Sequence, residues 1–442
     1  MTALCYFIGV LDDGANSLNG EALQVLRKAK HVIAGGRLLA SLATEISHAQ
    51  QYNLTGQLKT VPKWINSALA NAESVAVLAS GDPLCHGIAG YLIGKLDRNK
   101  VRILPNLSSI QLAFTQLCLP WQSAIIVSVH SQDAGDWQRG ACSQHGLYEL
   151  VQCCRQHDLL AVLTSPENNP QRIAAMLLEE GMADEFEIVV AQALKHHEQC
   201  VTAFLSAAEV RAATYLDPNI VILKRKNKRI DPILFGVSDT SFQQRKPNKG
   251  LITKREVRAV SLARMQLTRS SVVWDIGAGS GSVGLEAARI CVDGHVYGIE
   301  KNIDDITNIQ QNHGNWGVSN YSFVHGKAPD YLDSWPTPNA VFIGGSGGEL
   351  AELIEICLGR LQQNGWLVMS FVTLENLSVA VETLKKLGAN WDVCQIQASR
   401  SSPILNMNRL QAENPVWIVS ATITPILPLE SFTNNPTGYG TN

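Results

Sequence analysis

The chain has 442 residues, 45% of them hydrophobic and 17% charged, with a formal net charge of −3. This balance fits an ordinary globular protein and argues against a dedicated nucleic-acid binder, so no nucleic-acid partner is expected. The length exceeds one usual hydrophobic core and calls for two or three domains.

The opening residues, Met1 to Gly9, hold no basic region and no cleavage site, and no apolar run reaches membrane-spanning length. A cytoplasmic chain without a membrane partner is the expectation, and a homo-oligomer is expected for it. The ten cysteines are scattered, with only Cys153 and Cys154 adjacent. No CxxC pair or Cys/His cluster has zinc spacing, so reduced, mostly buried thiols and no metal are expected.

The first half alternates strand and helix signals. Strand patterns fit 5–10, 31–34, 75–78, 101–104, 124–128, 159–163, 187–191 and 220–223. Ile8-Gly9 with Asp12-Asp13-Gly14 follows the first strand, and Ser80-Gly81-Asp82-Pro83-Leu84 follows the third. A Gly-Asp-Pro sequence makes a tight turn whose main-chain groups can face a ligand, although alone it fits a plain strand-to-helix turn better. Pro105-Asn106-Leu107-Ser108-Ser109 ends another strand, and Thr164-Ser165-Pro166-Glu167-Asn168-Asn169-Pro170 a further one.

A domain boundary is expected between about 224 and 250, where the basic run 224–229 and the polar, proline-broken run 243–250 read as linker. Beyond it, Thr253 with Glu256 three residues on reads as a capping box for a helix carrying Val257, Val260, Leu262 and Met265. The strand 272–275 then enters Gly277-Ala278-Gly279-Ser280-Gly281, with a helix opening at Val283, and the next strand closes on Glu300. Dinucleotide sites use GxGxxG to seat a pyrophosphate. Here the spacing is GxGxG, and Glu300 is placed to accept the hydroxyls of a ribose.

Gly326-Lys327-Ala328-Pro329 follows a third strand at 322–324, and Gly344-Gly345-Ser346-Gly347-Gly348-Glu349 follows a fourth at 340–343. So many glycines suggest backbone packed against a large flat ligand. Strands at 366–371, 392–397 and 416–422 complete seven, the last two joined by a loop and the final one antiparallel. The ligand is expected at the carboxyl ends of the strands, beside the first.

The first-half motifs resemble the tetrapyrrole methylase (class III) family over about residues 4–223. In that family S-adenosylmethionine (SAM) lies folded between two α/β subdomains. The resemblance implies contacts from Gly9, Gly81, Asp82, Pro83, Ser108 and Ser109. Leu11 and Ser131 stand where glycines are usual, and Gln192-Ala193-Leu194 also departs from the pattern.

The second half resembles Rossmann-like class I SAM methyltransferases. Its set TKREVR, WDIGAGSGS, GKAP and IGGSGGEL resembles the precorrin decarboxylating methyltransferases of cobalamin biosynthesis over about 231–425. That implies cofactor contacts from Thr253, Asp275, Gly277, Ala278, Gly279, Ser280, Gly281, Glu300 and Ala328. It implies substrate contacts from Arg258, Gly344, Gly345, Ser346 and Gly347, while Asp275 is expected to orient the loop or meet the methionine amino group rather than act as a base. Lys327 replaces a usual acid.

Arginines suit a polycarboxylate substrate, and Arg255, Arg258, Arg264, Arg400 and Arg409 are candidates. No general acid or base is assigned.

Joined, the halves are similar to the fused precorrin-6Y C5,15-methyltransferase (decarboxylating) family. The implied architecture is α/β throughout: a two-subdomain tetrapyrrole methylase fold at 1–228, then a class I methyltransferase with a seven-stranded sheet at 229–442. The implied chemistry is SAM-dependent methylation of precorrin-6Y at C5 by the first half and at C15 by the second. The resemblance also implies that the second half removes the C12 acetate carboxyl as CO2, giving precorrin-8. A class I methyltransferase acting on RNA or another small molecule is the rival reading, opposed by the absence of a [DNS]PP[YFW] acceptor signature and of a basic face. A non-catalytic tetrapyrrole carrier is a second rival, opposed by the intact GAGSGS and Glu300.

Overall fold

Apolar runs in the first half form strands covered on both faces, as parallel sheets require. In Cys5–Val10 (β1), Cys5 and Phe7 enter one core while Ile8 and Val10 enter another. The computed structural model describes residues 3–130, 133–141, 143–229, 232–245 and 252–423. Ser131, the run 246–250 and the end of the chain past 423 lie outside them. The chain divides chiefly at residues 229/230 into two units.

In the first unit, β1 is followed by His31–Ala34 (β2), Gln50–Asn53 (β3), Val75–Ser80 (β4) and Val101–Leu104 (β5). These form a parallel sheet ordered β3-β2-β4-β1-β5. Ile125–Ser128 (β6), Leu159–Leu163 (β7), Phe186–Gln192 (β8), Cys200–Val201 (β9) and Asn219–Arg225 (β10) form a second sheet, ordered β6-β7-β10-β8-β9. There β10 runs antiparallel to both neighbours. The polar β3 and two-residue β9 were not expected; both sit at sheet edges, where no apolar alternation is needed.

In the second unit, Val272–Ile276 (β11), His295–Glu300 (β12), Tyr321–His325 (β13), Ala340–Ile343 (β14) and Trp366–Phe371 (β15) are parallel. They are followed by Asn390–Ile396 (β16), Ser399–Ile404 (β17), Met407–Ala412 (β18) and Val416–Thr422 (β19). The seven-stranded order is β13-β12-β11-β14-β15-β19-β16, with β19 antiparallel to β15 and β16. The antiparallel final strand is as expected. The link before it is not a plain loop: β17 and β18 pair as a separate hairpin.

One core takes Val273, Val296, Phe342 and Ile418, and the opposite one takes Trp274, Ile276, Ile343 and Val419. Strand order reverses beside β11, which opens a crevice at the carboxyl ends of β11 and β14. Among the described residues no helix is long and apolar enough to cross a membrane. Among the described cysteines, Cys5, Cys154, Cys291 and Cys357 are buried, whereas Cys118 and Cys200 are exposed.

Candidate functional site

In the second unit the crevice is a cavity of about 690 Å³, within the range of small-molecule sites, about 300–1,000 Å³. Gly277 and Gly279 form its floor with φ of +68° and +57°. A Cβ on Gly277 would lie 2.6 Å from the carbonyl oxygen of Gly345, so the loops after β11 and β14 meet backbone to backbone. The helix after the loop starts at Ser282, one residue earlier than expected.

Glu300 ends β12 at the cavity wall and is 7% exposed. Its Oε2 accepts from the Gly279 amide at 2.9 Å and its Oε1 from the Asn302 amide at 2.8 Å. A carboxylate has about four acceptor positions, so these two bonds orient it and leave capacity for a diol.

Thr253, Ala328, Gly344, Gly345, Ser346 and Gly347 also line this cavity. Ala278, Ser280 and Gly281 do not, although they shape its loop: Gly281, at φ +75°, is the N-cap of the following helix.

Of the two roles expected of Asp275, the structure gives the loop-orienting one and not a place on the cavity wall. Asp275 shares strand parity with Val273, so its side chain turns under the helix at 282–290 and away from the cavity. Oδ2 accepts from the Gly284 amide at 3.0 Å and the Tyr321 hydroxyl at 3.3 Å. Oδ1 meets no donor among the described residues. Burial, aided by the nearby Glu300 charge, pushes the carboxyl up to about 7 against those two hydrogen bonds. Asp275 thus orients the glycine loop from beneath.

Arg258 is also corrected. It is fully buried and off the cavity, with Nη1 donating to Asp239 at 3.1 Å and to the Thr253 carbonyl at 2.6 Å, and Nε 3.0 Å from Glu286. Nη2 donates to the Val237 carbonyl at 2.5 Å.

The capping box does not form. Lys254 is the N-cap and offers no side-chain bond, while Glu256 pairs with Arg400 at 2.6 Å. A charge-assisted pair outweighs a neutral cap. Arg400 also holds Asp239 at 2.8 Å, and Arg264 pairs with Asp392. None of the five expected arginines lines the cavity; among the described residues its positive charge comes from Arg245, Lys254, Lys301 and Lys327. Arg245 is paired with Asp305 at 2.6 Å. A Cβ on Gly347 would lie 3.4 Å from Cε of Lys327 and 3.7 Å from Nζ of Lys301, so both lysine arms reach over the glycine loop.

The first unit has its own cavity, about 610 Å³. Three turns meet behind it. A Cβ on Gly9 would lie 2.2 Å from the Gly81 carbonyl oxygen and 2.8 Å from Asn106, so nothing larger than glycine fits. Asn106 Nδ2 donates to the carbonyls of Gly9 and Ser17 at 3.1 and 3.0 Å. Ser108 caps the helix Ser109–Gln116 in a capping box with Gln111. Asp82 Oδ1 accepts from the Leu84 amide at 2.9 Å.

Gly81 and Ser109 line this cavity; Gly9, Asp82, Pro83 and Ser108 are its backing. Leu11, Asp12, Arg37, Cys85, His86 and His130 line it as well, and sequence reasoning assigned none of them to the site. His130 lies two residues past the end of β6, and the only sequence signal there was Ser131 in place of a usual glycine.

Family models match in the same order. Residues 4–209 match the tetrapyrrole (corrin/porphyrin) methylases, and residues 246–422 match the precorrin methyltransferase domain. A precorrin-6Y C(5,15)-methyltransferase [decarboxylating] from Sinorhizobium sp is 29% identical over 92% of this chain and 94% of its own. A probable cobalt-precorrin-6B C(15)-methyltransferase (decarboxylating) from Pyrobaculum calidifontis is 36% identical over 42% of this chain and 95% of its own. The crystal structure of a precorrin-6Y C5,15-methyltransferase from Geobacter metallireducens GS-15 is 37% identical, covering 43% of this chain and 100% of that one at a TM-score of 0.41. With its two matched domains in this order, the chain belongs to the decarboxylating precorrin methyltransferase family.

Proposed function

We propose that this chain methylates precorrin-6Y at C5 and C15 with SAM and removes the C12 acetate carboxyl as CO2, giving precorrin-8. The first unit handles C5; the second handles C15 and the decarboxylation. The observation that carries this reading is the floor of the second cavity. There a GxGxG turn tied to Glu300 lies backbone to backbone against the Gly344–Gly348 loop.

These residues fit SAM. The glycine floor leaves main-chain atoms open, Glu300 keeps acceptor capacity for a ribose, and Ala328 borders the wall where an adenine would lie. When bound, SAM supplies an electrophilic methyl group on a sulfonium sulfur. The protein's task is alignment and exclusion of water, because the meso carbons of a reduced tetrapyrrole are enamine-like and already nucleophilic. Gly344–Gly347 let a flat ring approach the backbone, and Lys301 and Lys327 offer point charges to its carboxylates. The electrons released with CO2 pass into the conjugated macrocycle, which serves as its own sink.

The test is incubation of the full chain with precorrin-6Y and SAM, followed by mass spectrometry. The expected product gains two methyl groups and loses one CO2. A product with one methyl group and no CO2 loss would mean that only one unit works as proposed.

A further inference from the structure

Methylation of a methine carbon leaves it bearing both a hydrogen and the new methyl group. Conjugation returns only when that hydrogen leaves as a proton, so the C5 reaction needs a base. The titratable side chains lining the first cavity are Asp12, Arg37, Cys85, His86 and His130.

Asp12 is held by Arg37 at 2.9 Å. A guanidinium does not release a proton near neutrality. Burial and the nearby Asp82 push the Cys85 thiol up, against a hydrogen bond to Ser108, which keeps it protonated. His86 makes no hydrogen bond among the described residues and nothing fixes its ring.

His130 is different. Its Nδ1 lies 2.8 Å from the carbonyl oxygen of Thr164. A carbonyl only accepts, so Nδ1 carries the hydrogen, and in the neutral ring Nε2 holds a free lone pair. Thr164 is itself anchored: its Oγ1 is 2.7 Å from both the carbonyl and Oδ1 of Asn219. The ends of β6, β7 and β10 therefore present one tautomer of one imidazole at the cavity.

We propose that His130 is the general base of the first unit, its Nε2 taking the proton from C5 after the methyl group is added. The proposal rests on the reading of this unit as the C5 methylase. The C5–H bond breaks, its electron pair returns to the ring and neutralises the conjugated iminium, and the proton goes to Nε2 and then to solvent.

The test uses the full-length protein with precorrin-6Y and SAM, comparing wild type with His130→Ala and His130→Gln. Removal of a general base costs roughly 10²- to 10⁴-fold, so kcat for C5 methylation should fall by that factor in both variants. KM for precorrin-6Y and calorimetric SAM affinity should stay within about twofold, while C15 methylation in the same chain serves as the internal reference. Added imidazole should restore part of the C5 rate to His130→Ala.

Unchanged C5 kcat or failed imidazole rescue would each overturn the assignment of His130. A wild-type chain that never methylates C5 would instead overturn the functional reading of the unit, and the proposal with it.

Discussion

At the residue scale, Asp275 is a buried acid that supports the glycine loop from beneath, off the cavity. Its carboxyl holds the first turn of the helix at 282–290 through Gly284 and shares Tyr321, and a Cβ on Gly284 would lie 2.6 Å from Asp275 Oδ2. Because the folded carboxyl is pushed up to about 7 from 3.8, the native state keeps a proton that the unfolded chain has lost between those values. Stability therefore falls as pH rises through that window, by an amount on the order of 4 kcal/mol if the whole shift is expressed. Asp275→Asn should flatten the dependence of urea-unfolding free energy on pH between about 4 and 7; an unchanged slope would show that Asp275 is not its source.

Lys301 and Lys327 make a second prediction at this scale. Both are exposed at the mouth of the second cavity, and Lys327 is partnered by Glu349 at 2.7 Å. Exposed charge contacts are weak, so Lys301→Ala and Lys327→Ala should each raise KM for precorrin-6Y by roughly twofold to fivefold. Calorimetric SAM affinity should not move. Loss of SAM binding with unchanged KM would place these arms at the cofactor instead.

At the scale of elements, Arg258 joins the segment 236–239 to two helices. Asp239 and Glu286 both face it, and Glu286 also accepts from the amides of Gly236 and Val237 at 2.9 Å. Removing one partner of a buried pair costs about 3–5 kcal/mol because the others keep their uncompensated charge. Arg258→Ala should lower the urea midpoint accordingly in the second unit, while precorrin-6Y KM in the folded fraction stays unchanged. A rise in KM with unaltered stability would restore Arg258 to the substrate.

The parallel strands and the glycine turns after them were legible because apolar runs and glycine spacing are local signals. The role of Arg258 was not, and for Asp275 the sequence left two roles open. An acid after an apolar strand reads alike whether it faces the ligand or the flanking helix; only its parity with Val273 and against Ile276 separates the two. Arg258 finds Asp239 and Glu286 far away along the chain, so its motif alone pointed outward to substrate. The hairpin β17–β18 carries Pro403 and mostly polar residues, and its pairing leaves no apolar alternation to detect. The missed His130 has meaning only through the carbonyl of Thr164, which the fold brings to it.

At the scale of the whole molecule, two differently built α/β units each carry a cavity supported by turns that meet backbone to backbone. One uses Gly9, Gly81 and Asn106; the other uses Gly277 and Gly345. The account's central claim is that each unit holds its own methyl donor. Calorimetric titration of the full-length protein with SAM tests this most directly. Two equivalents should bind to wild type, and Gly279→Arg, which fills the floor of the second cavity, should remove one of them and leave the other unchanged. A full complement of binding in Gly279→Arg, or no binding to wild type at all, would contradict the account.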